Sequence, residues 1–398
     1  MPIILFIAIS ESIHTAKWIN NLDISKYKSY LFPSRDYGSS HELLNNITIF
    51  HSIYSGKNNK GKKLRIKGFK TGFNVIEKGI RFFLKQKFPN YRLRQLVNTI
   101  KKVKPDIVHS MEFQSGCYLA LEVKKILGDN FPKWIATNWG SDLFLFKNLD
   151  EHSDKIKEVL TNCDYYTCEC KRDVKIARDL GFKGKIFKMP TNSGGFDLDF
   201  INEFRNNISP SKRKYIMLKG YQGWAGRALV GLRALERCSN ILKGFEIIIY
   251  SADYSPEVRI AAEIFNKKTG IPIKIIPINT DNYEILKLHS CSRVSIGLSI
   301  SDAISTSMLE TIAMGSFPIQ SYTSCADEII KDGINGFLVH PEDPEQIEQA
   351  IVKAIEDDNL VDEAAKLNFE IIAKYFNKDI IKEKVNSMYG EIESIIQK

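Results

Sequence analysis

The chain has 398 residues, 43% of them apolar and 26% charged, with seven cysteines and a formal net charge of +9. That is an ordinary globular composition for two or three domains, and it excludes collagen-like, low-complexity and disulfide-dense classes. The longest runs dominated by apolar residues, 3–9 and 245–250, the second broken by Glu246, fall far short of the ~18 residues of a membrane span. The first ten residues lack the basic start and small-residue cleavage site of a signal peptide, so a cytoplasmic chain is expected.

Short β-rich runs alternate with amphipathic stretches from the start. Residues 2–9 read as a strand, 14–22 as a helix and 28–32 as a strand. A basic insert, 57–104, then breaks the pattern. It holds sixteen Lys and Arg and one acid, Glu77, so it carries +15 and the rest of the chain −6. Charge gathered this way calls for an anionic partner. Within it Ile76, Ile80, Phe83, Leu84 and Phe88 recur at helical spacing, with Lys78, Arg81, Lys85 and Lys87 between them. This describes a basic amphipathic helix suited to an anionic membrane surface. An ordinary helix with its stripe turned to the core has the same pattern. Aromatics among cations also suit single-stranded nucleic acid, but no nucleic-acid motif accompanies them, and no such partner is expected.

The alternation resumes with strand 106–109, helix 116–127, strand 134–137, helix 155–162, strand 165–168, helix 171–180 and strand 185–189. Residues 191–214, rich in Asn, Ser, Gly and Pro, read as a linker. Beyond it come strand 215–218, helix 227–237, strand 245–250, helix 256–268, strand 273–276, helix 283–289, strand 294–297, helix 306–314 and strand 317–320, then mostly helix from Asp343. Two successive βα arrays predict an α/β protein of two doubly wound, Rossmann-like domains, 1–205 and 206–375. The last helix, 376–398, is expected to pack back on the first domain. In such pairs ligands bind at the carboxyl ends of the strands, here the cleft between the domains.

Several constellations fall at those strand ends. Lys219-Gly220-Tyr221-Gln222-Gly223-Trp224-Ala225-Gly226-Arg227 links a strand to a helix. Its glycines let the backbone approach a ligand, and the helix start supplies amides and a positive dipole end. Lys219 and Arg227 can neutralise a diphosphate, although the spacing is neither a dinucleotide fingerprint nor a P-loop. A glycine-rich turn without a ligand reads the same way. Next, Ser301-Asp302-Ala303-Ile304-Ser305-Thr306-Ser307-Met308-Leu309-Glu310 enters a helix. Two carboxylates eight residues apart can take vicinal hydroxyls at two points of an extended ligand, since ionised carboxylates only accept hydrogen bonds. Ser305 or Ser307 could equally be plain caps.

In the first half, Ser12-Ile13-His14-Thr15, His109-Ser110-Met111-Glu112 and Thr137-Asn138-Trp139-Gly140-Ser141-Asp142 each follow a strand. They could serve as acid, base or sugar-hydroxyl partners, or as caps and a core histidine. Asp197-Leu198-Asp199 looks like a metal motif but lies in the linker, and the seven histidines are dispersed, so no metal site is expected. The cysteines contain no Cys-x-x-Cys and read as free buried thiols.

Together these residues resemble the retaining nucleotide-sugar glycosyltransferases of family four, with the GT-B fold, and most of all those that build bacterial surface polysaccharides. Residues 301–318 look like that family's Glu-x7-Glu block and its Ala-Met-Gly-x-Pro turn, and 332–339 like its Asp-Gly-x-Asn-Gly-Leu-Leu-Val strand. Lys104-Pro105-Asp106-Ile107-Val108-His109 and Gly140-Ser141-Asp142 match in the first half. The resemblance implies that Glu310 binds the donor ribose and Asp302 the donor sugar. It places the amides of Ser305, Thr306 and Ser307 and the loop glycines Gly223 and Gly226 against sugar and diphosphate. Arg227 and Lys219 would stabilise the leaving nucleotide. Asp302-Ala303-Ile304-Ser305 stands where the family has Glu-Gly-Phe-Gly, and Trp139 stands where it has a histidine, a place that His14 or His109 could fill.

The implied activity is metal-independent, retaining transfer from a UDP- or GDP-linked sugar, with no other cofactor. The acceptor would be a lipid-linked glycan at the inner face of the cytoplasmic membrane, held there by the basic insert. Another GT-B enzyme, such as a hydrolysing epimerase, or a nucleic-acid-binding protein would use the same residues otherwise.

Overall fold

The apolar run at the start of the chain becomes β1 (Ile3–Ala8), buried along nearly its whole length at the middle of an eight-stranded sheet. Its companions are β2 (Lys28–Pro33), β3 (Thr48–Ser55), β4 (Arg65–Thr71), β5 (Ile107–Met111), β6 (Lys133–Thr137), β7 (Tyr165–Cys168) and β8 (Lys185–Lys188). They run in the order β4-β3-β2-β1-β5-β6-β7-β8, with every neighbouring pair parallel. Parallel strands covered by helices on both faces need apolar side chains on both, which is why β1 does not alternate with polar residues. Leu5 and Ile7 enter a core with Leu96, Leu121 and Ile156. Ile4, Phe6 and Ala8 enter the opposite one with Trp18, Ile19, Val385 and Met388.

The computed structural model describes residues 1–55, 59–72, 74–189, 194–252 and 256–396. Lys57, Thr191, Asn192, Ser193, Gln397 and Lys398, which belong to the expected insert, linker and last helix, lie outside the described residues. The chain forms two compact units, Met1–Gly195 with Asp379–Lys398, and Phe196–Lys378.

The last helix, Lys378–Ile396, belongs to the first unit from Asp379 on. Its Tyr389 is fully buried; the hydroxyl accepts from Trp18 Nε1 at 3.0 Å and bonds His109 Nδ1 at 2.6 Å. Tyr389→Phe removes the partner of both buried ring nitrogens, a loss of about 2–4 kcal/mol. Urea unfolding followed by tryptophan fluorescence is expected to show this as a lower midpoint for the first unit, which holds Trp18, Trp134 and Trp139.

The basic segment is no insert. It contributes the edge strand β4 and the crossover helix Tyr91–Val103, whose Leu96, Thr99 and Ile100 are buried, leading back to β5. β4 was hidden in the sequence because Arg65, Lys67 and Lys70 stand exposed on it, as befits an unpaired sheet edge. The preceding helix, Asn74–Lys87, turns Glu77 inward, with Ile80 and Leu84 of the expected stripe half-buried. Glu77 is buried and paired with Arg81, which also donates to Ile53 O at 3.4 Å. Val75, Ile76, Phe82, Phe83 and, just beyond, Phe88 are left exposed, Phe82 by 67%.

The second unit repeats the logic with β9 (Tyr215–Lys219), β10 (Glu246–Tyr250), β11 (Ile273–Ile275), β12 (Ser292–Gly297), β13 (Phe317–Ser321) and β14 (Phe337–Val339). Their order is β11-β10-β9-β12-β13-β14, again all parallel. The unit begins at Phe196, ten residues before the expected boundary, because residues 198–204 of the expected linker form a helix. Asp197 caps the helix Leu198–Phe204 and pairs with Lys378 at 3.6 Å, while Phe200 lies 5.1 Å from Tyr283. Asp197-Leu198-Asp199 is thus a helix start.

Candidate functional site

In the second sheet the chain runs outward one way from β9 to β10 and the other way from β12 to β13. The loops that leave β9 and β12 therefore part at a topological switch point, where an open α/β sheet has its natural crevice. Here they hold each other. Arg227 N donates to Leu298 O at 3.1 Å and Ile300 N to Ala225 O at 2.9 Å, and Gly226 and Ser299 form an antiparallel bridge. Ser299 is also tied to the end of β13: its amide donates to Ser321 Oγ at 3.0 Å, and its carbonyl accepts from Ser321 Oγ and Thr323 Oγ1.

The β9 loop is tightly folded. A Cβ on Gly226 would lie 2.0 Å from Tyr221 O, and one on Gly220 2.6 Å from Ile249 Cγ2. Gly223 instead has open space around it and a φ of +132°, which glycine alone adopts readily. Arg227 folds back over this loop. It donates to Gly223 O at 3.2 Å and Gly226 O at 2.9 Å and pairs with Glu342 at 2.8 Å, which lowers the Glu342 pKa. Lys219 is half-buried at the end of β9.

Beyond the β12 loop, Ser305 occupies the N-cap position of the helix Thr306–Ala313. Its hydroxyl bonds Ser307 Oγ at 2.9 Å rather than capping the helix start. Asp302 accepts from its neighbour Ala303 N at 2.9 Å, and its charge raises the pKa of Tyr221 in the β9 loop beyond what burial does. Glu310 lies just over one turn into this helix and is 8% exposed. It accepts from Asn282 Nδ2 at 3.3 Å and faces Tyr250, whose pKa burial and Glu310 together raise. The structure thus brings Lys219, Gly223, Gly226, Arg227, Asp302, Ser305, Thr306, Ser307 and Glu310 to two adjoining loops and one helix of the same unit.

The first unit has its own switch point, between β1 and β5. Ser12, half-buried after β1, caps the helix Ile13–Asn20, and the His14 ring lies 5.6 Å from that of Trp139. His109 departs from expectation: it is 0% exposed, inside β5. Its nitrogens bond Tyr389 OH and Thr137 Oγ1, both at 2.6 Å, and burial lowers its pKa to about 3. It is a neutral core histidine with no face for a substrate.

What does stand at these strand ends is a pair of carboxyls. Glu112 accepts from Gln114 N at 3.1 Å and Ser115 N at 2.9 Å, and Asp142 from Trp139 N at 2.8 Å and Phe113 N at 3.1 Å. Burial first, and then the charge of Glu112, push Asp142 up to about 8. The folded protein keeps this proton where the unfolded chain, with an aspartate pKa of about 4, has lost it. Stability is therefore expected to fall as pH rises from about 4 towards 8. Asp142→Asn should flatten that slope in thermal melts at pH 5 and pH 8.

Two families of known proteins match the chain. Residues 264–368, in the second unit, match Glycosyl transferases group 1, and residues 69–169, in the first, match Glycosyl transferase 4-like. Together they take in just over half of the sequence. The chain belongs to the GT4-type glycosyltransferases.

Its two parallel, helix-covered sheets are those of the GT-B fold. Sucrose-phosphate synthase from Thermosynechococcus elongatus superposes with a TM-score of 0.70 at 14% identity, over 99% of this chain and 100% of that one. Anabaena HepE in complex with UDP-glucose gives 0.68 at 12%, over 98% and 100%. A glycosyltransferase from Rickettsia africae gives 0.66 at 15%, over 100% and 98%. At these identities the likeness is one of fold. An uncharacterized glycosyltransferase of Methanocaldococcus jannaschii is 39% identical over 57 residues, which span 14% of each chain.

In this glycosyltransferase the group 1 match takes in Asp302 and Glu310, while the β9 loop lies outside it. The other match begins inside the basic segment, again marking it as part of the domain. Asn282, Tyr250 and Glu342 escaped sequence reasoning. The available signals were Asp281 opening a helix for Asn282, and the turn His340-Pro341-Glu342-Asp343-Pro344 after β14. Among the described residues no three His, Cys, Asp or Glu side chains cluster as metal ligands, and no helix is long and apolar enough to cross a membrane. The seven cysteines are free thiols, all buried but the half-buried Cys291.

Proposed function

We propose that this glycosyltransferase moves a sugar from a nucleotide-sugar donor, with retention and without a metal ion, to a lipid-linked glycan acceptor during bacterial surface-polysaccharide synthesis. The observation behind the donor half is the junction of the β9 and β12 loops with Glu310 and the start of helix Thr306–Ala313. Glu310 would accept from the ribose hydroxyls and Asp302 from those of the sugar. The amides of Ser305, Thr306 and Ser307, the positive end of their helix, Lys219 and Arg227 would hold the diphosphate. Fixed positive charge aimed at the departing oxygen stabilises it as the sugar bond breaks. Arg227 must share itself between this task and Glu342. The acceptor hydroxyl would attack on the face that the nucleotide leaves, which gives retention without a covalent nucleophile. His14 is the remaining histidine candidate for the acceptor side.

The UDP-glucose held by Anabaena HepE favours a uridine nucleotide over a guanosine one. The acceptor half rests on the first unit, where Val75, Ile76, Phe82 and Phe83 are exposed among Lys78, Lys85 and Lys87. Such a face suits the anionic inner leaflet of the cytoplasmic membrane.

A thermal-shift series with UDP-glucose, GDP-mannose, UDP and GDP, with and without chelator, tests the donor half. A ligand at a hundred times its dissociation constant stabilises by about 2.7 kcal/mol. The expected result is a shift with the UDP pair that chelator leaves unchanged. No shift with any nucleotide, or one that chelator abolishes, would overturn it. Flotation on phosphatidylglycerol vesicles tests the acceptor half: the protein should float, and Phe82→Ser with Phe83→Ser should release it.

A further inference from the structure

We infer that the first unit carries a discrete site for the phosphomonoester or diphosphate head group of one amphiphile molecule, on the sheet edge at β4. The inference deepens the membrane half of the proposed function and rests on it for the ligand's apolar tail. A hollow of about 670 Å³ lies between β4 and the helices Asn74–Lys87 and Tyr91–Val103. Lys67 reaches it from the strand, Lys87 from the end of the first helix, and Arg94 and Lys102 from the second. No carboxylate lines it.

The acids nearby are committed elsewhere. Asp36 faces Arg92 and accepts from Ser52 and from Tyr91 OH, and Glu77 is paired with Arg81. None of the four lining cations is in an ion pair among the described residues. Four like charges drawn from three elements around one hollow set up a positive field that favours an anion there over the surrounding surface. A phosphomonoester carries about −1.5 to −2 near pH 7, and its oxygens accept from every one of these donors.

Two further features shape the site. The pairing of β3 with β4 shifts register between Phe50 and Ile53, opposite Gly68, which lines the hollow with a φ of +136°. A Cβ there would lie 2.4 Å from His51 O, so β3 bulges by one residue here and a glycine stands opposite the bulge on the edge strand. Phe50 and Phe88 give the hollow an apolar side. From Phe88 the exposed Phe83 and Phe82 continue along the same helix end. Inorganic phosphate would satisfy the cations but leave these rings in water, whereas an amphiphile satisfies both.

The test is calorimetric titration of the full chain with dihexanoyl phosphatidate, kept below its micellar concentration, and with glycerol 3-phosphate at the same ionic strength. Phosphatidate should saturate at one per chain, about tenfold tighter than glycerol 3-phosphate, as burying part of its chains predicts. Arg94→Ala with Lys102→Ala removes two charge-assisted contacts from exposed positions and should weaken it by about tenfold or more. Lys78→Ala with Lys85→Ala removes the same charge outside the hollow and should change it by less than about threefold, through screened long-range attraction only. Equal losses from the two pairs, equal affinity for both ligands, or no saturable binding would each overturn the site. A protein that floats on vesicles without saturable phosphatidate binding loses the site but keeps the membrane reading. One that binds phosphatidate and does not float keeps the site and loses the membrane reading.

Discussion

Glu310→Ala is expected to cut donor affinity and kcat/KM by about a hundredfold or more, because it removes two hydrogen bonds to a charged acceptor at about 1.5–3 kcal/mol each. The site is demanding because it is nearly dry: Glu310 is buried, with Asn282 Nδ2 at 3.3 Å and Tyr250 beside it. Water that entered in place of the carboxylate would have to satisfy Asn282 and the ribose hydroxyls together. Glu310→Gln keeps the shape and one acceptor, so it should retain more affinity than alanine and less than wild type. The thermal midpoint should change little in either variant, since neither creates a buried charge. Calorimetric titration with the uridine nucleotide that shifts the melting curve reads the loss directly. Wild-type affinity and turnover in Glu310→Ala would move the donor away from the β12 loop. Asn282→Ala offers a graded check, because it withdraws one donor from the carboxylate without touching the ligand's own partner.

The legible and the hidden parts of this protein separate on physical grounds. Parallel strands buried on both faces, such as β1 and β10, must be written as continuous apolar runs, and the αβ alternation follows from them. β3 and β4 belong to the same sheet but approach its edge, where Arg65, Lys67 and Lys70 face water and mimic a mere charge run. The spacing of Asp302 and Glu310 was legible because the two lie eight residues apart on one loop-to-helix stretch, Asp302 in the β12 loop and Glu310 on the helix that follows it. Asn282 and Glu342 were not, because their partners Glu310 and Arg227 lie 28 and 115 residues away, and only the sheet order brings them together. His109 shows the same limit in reverse. The sequence put it at the end of a strand, but β5 runs on to Met111 and Tyr389, 280 residues on, helps to seal it in the core.

The β9 loop provides the second large effect, and it separates space from conformation. Gly226→Ala puts a methyl group 2.0 Å from Tyr221 O and 2.4 Å from Tyr221 C, both backbone atoms. Neither can retreat at little cost. Tyr221 O accepts from Ala228 N at 3.3 Å, and the residues flanking Gly226 bond Leu298 and Ile300 of the β12 loop. Relieving the clash means parting the two loops, so the melting point of the second unit should fall by about 2–12 °C, as an overpacking cost of about 1–3 kcal/mol implies. Trp224, the one tryptophan of that unit, reports the change. Donor affinity should fall with it by at least about tenfold, since 1.4 kcal/mol of lost loop alignment is enough. Gly223→Ala meets no atom within 4 Å but must leave a φ of +132°. Its peptide can rotate into open space, so affinity should suffer while the melting point holds within about 2 °C, the scale of a surface change. If both variants bound donor like wild type, the loop would be a turn and nothing more. If Gly223→Ala alone lost binding, the diphosphate contact would lie at the exposed tip of the loop, and Arg227, which already bonds Gly223 O, would be the side chain delivered there.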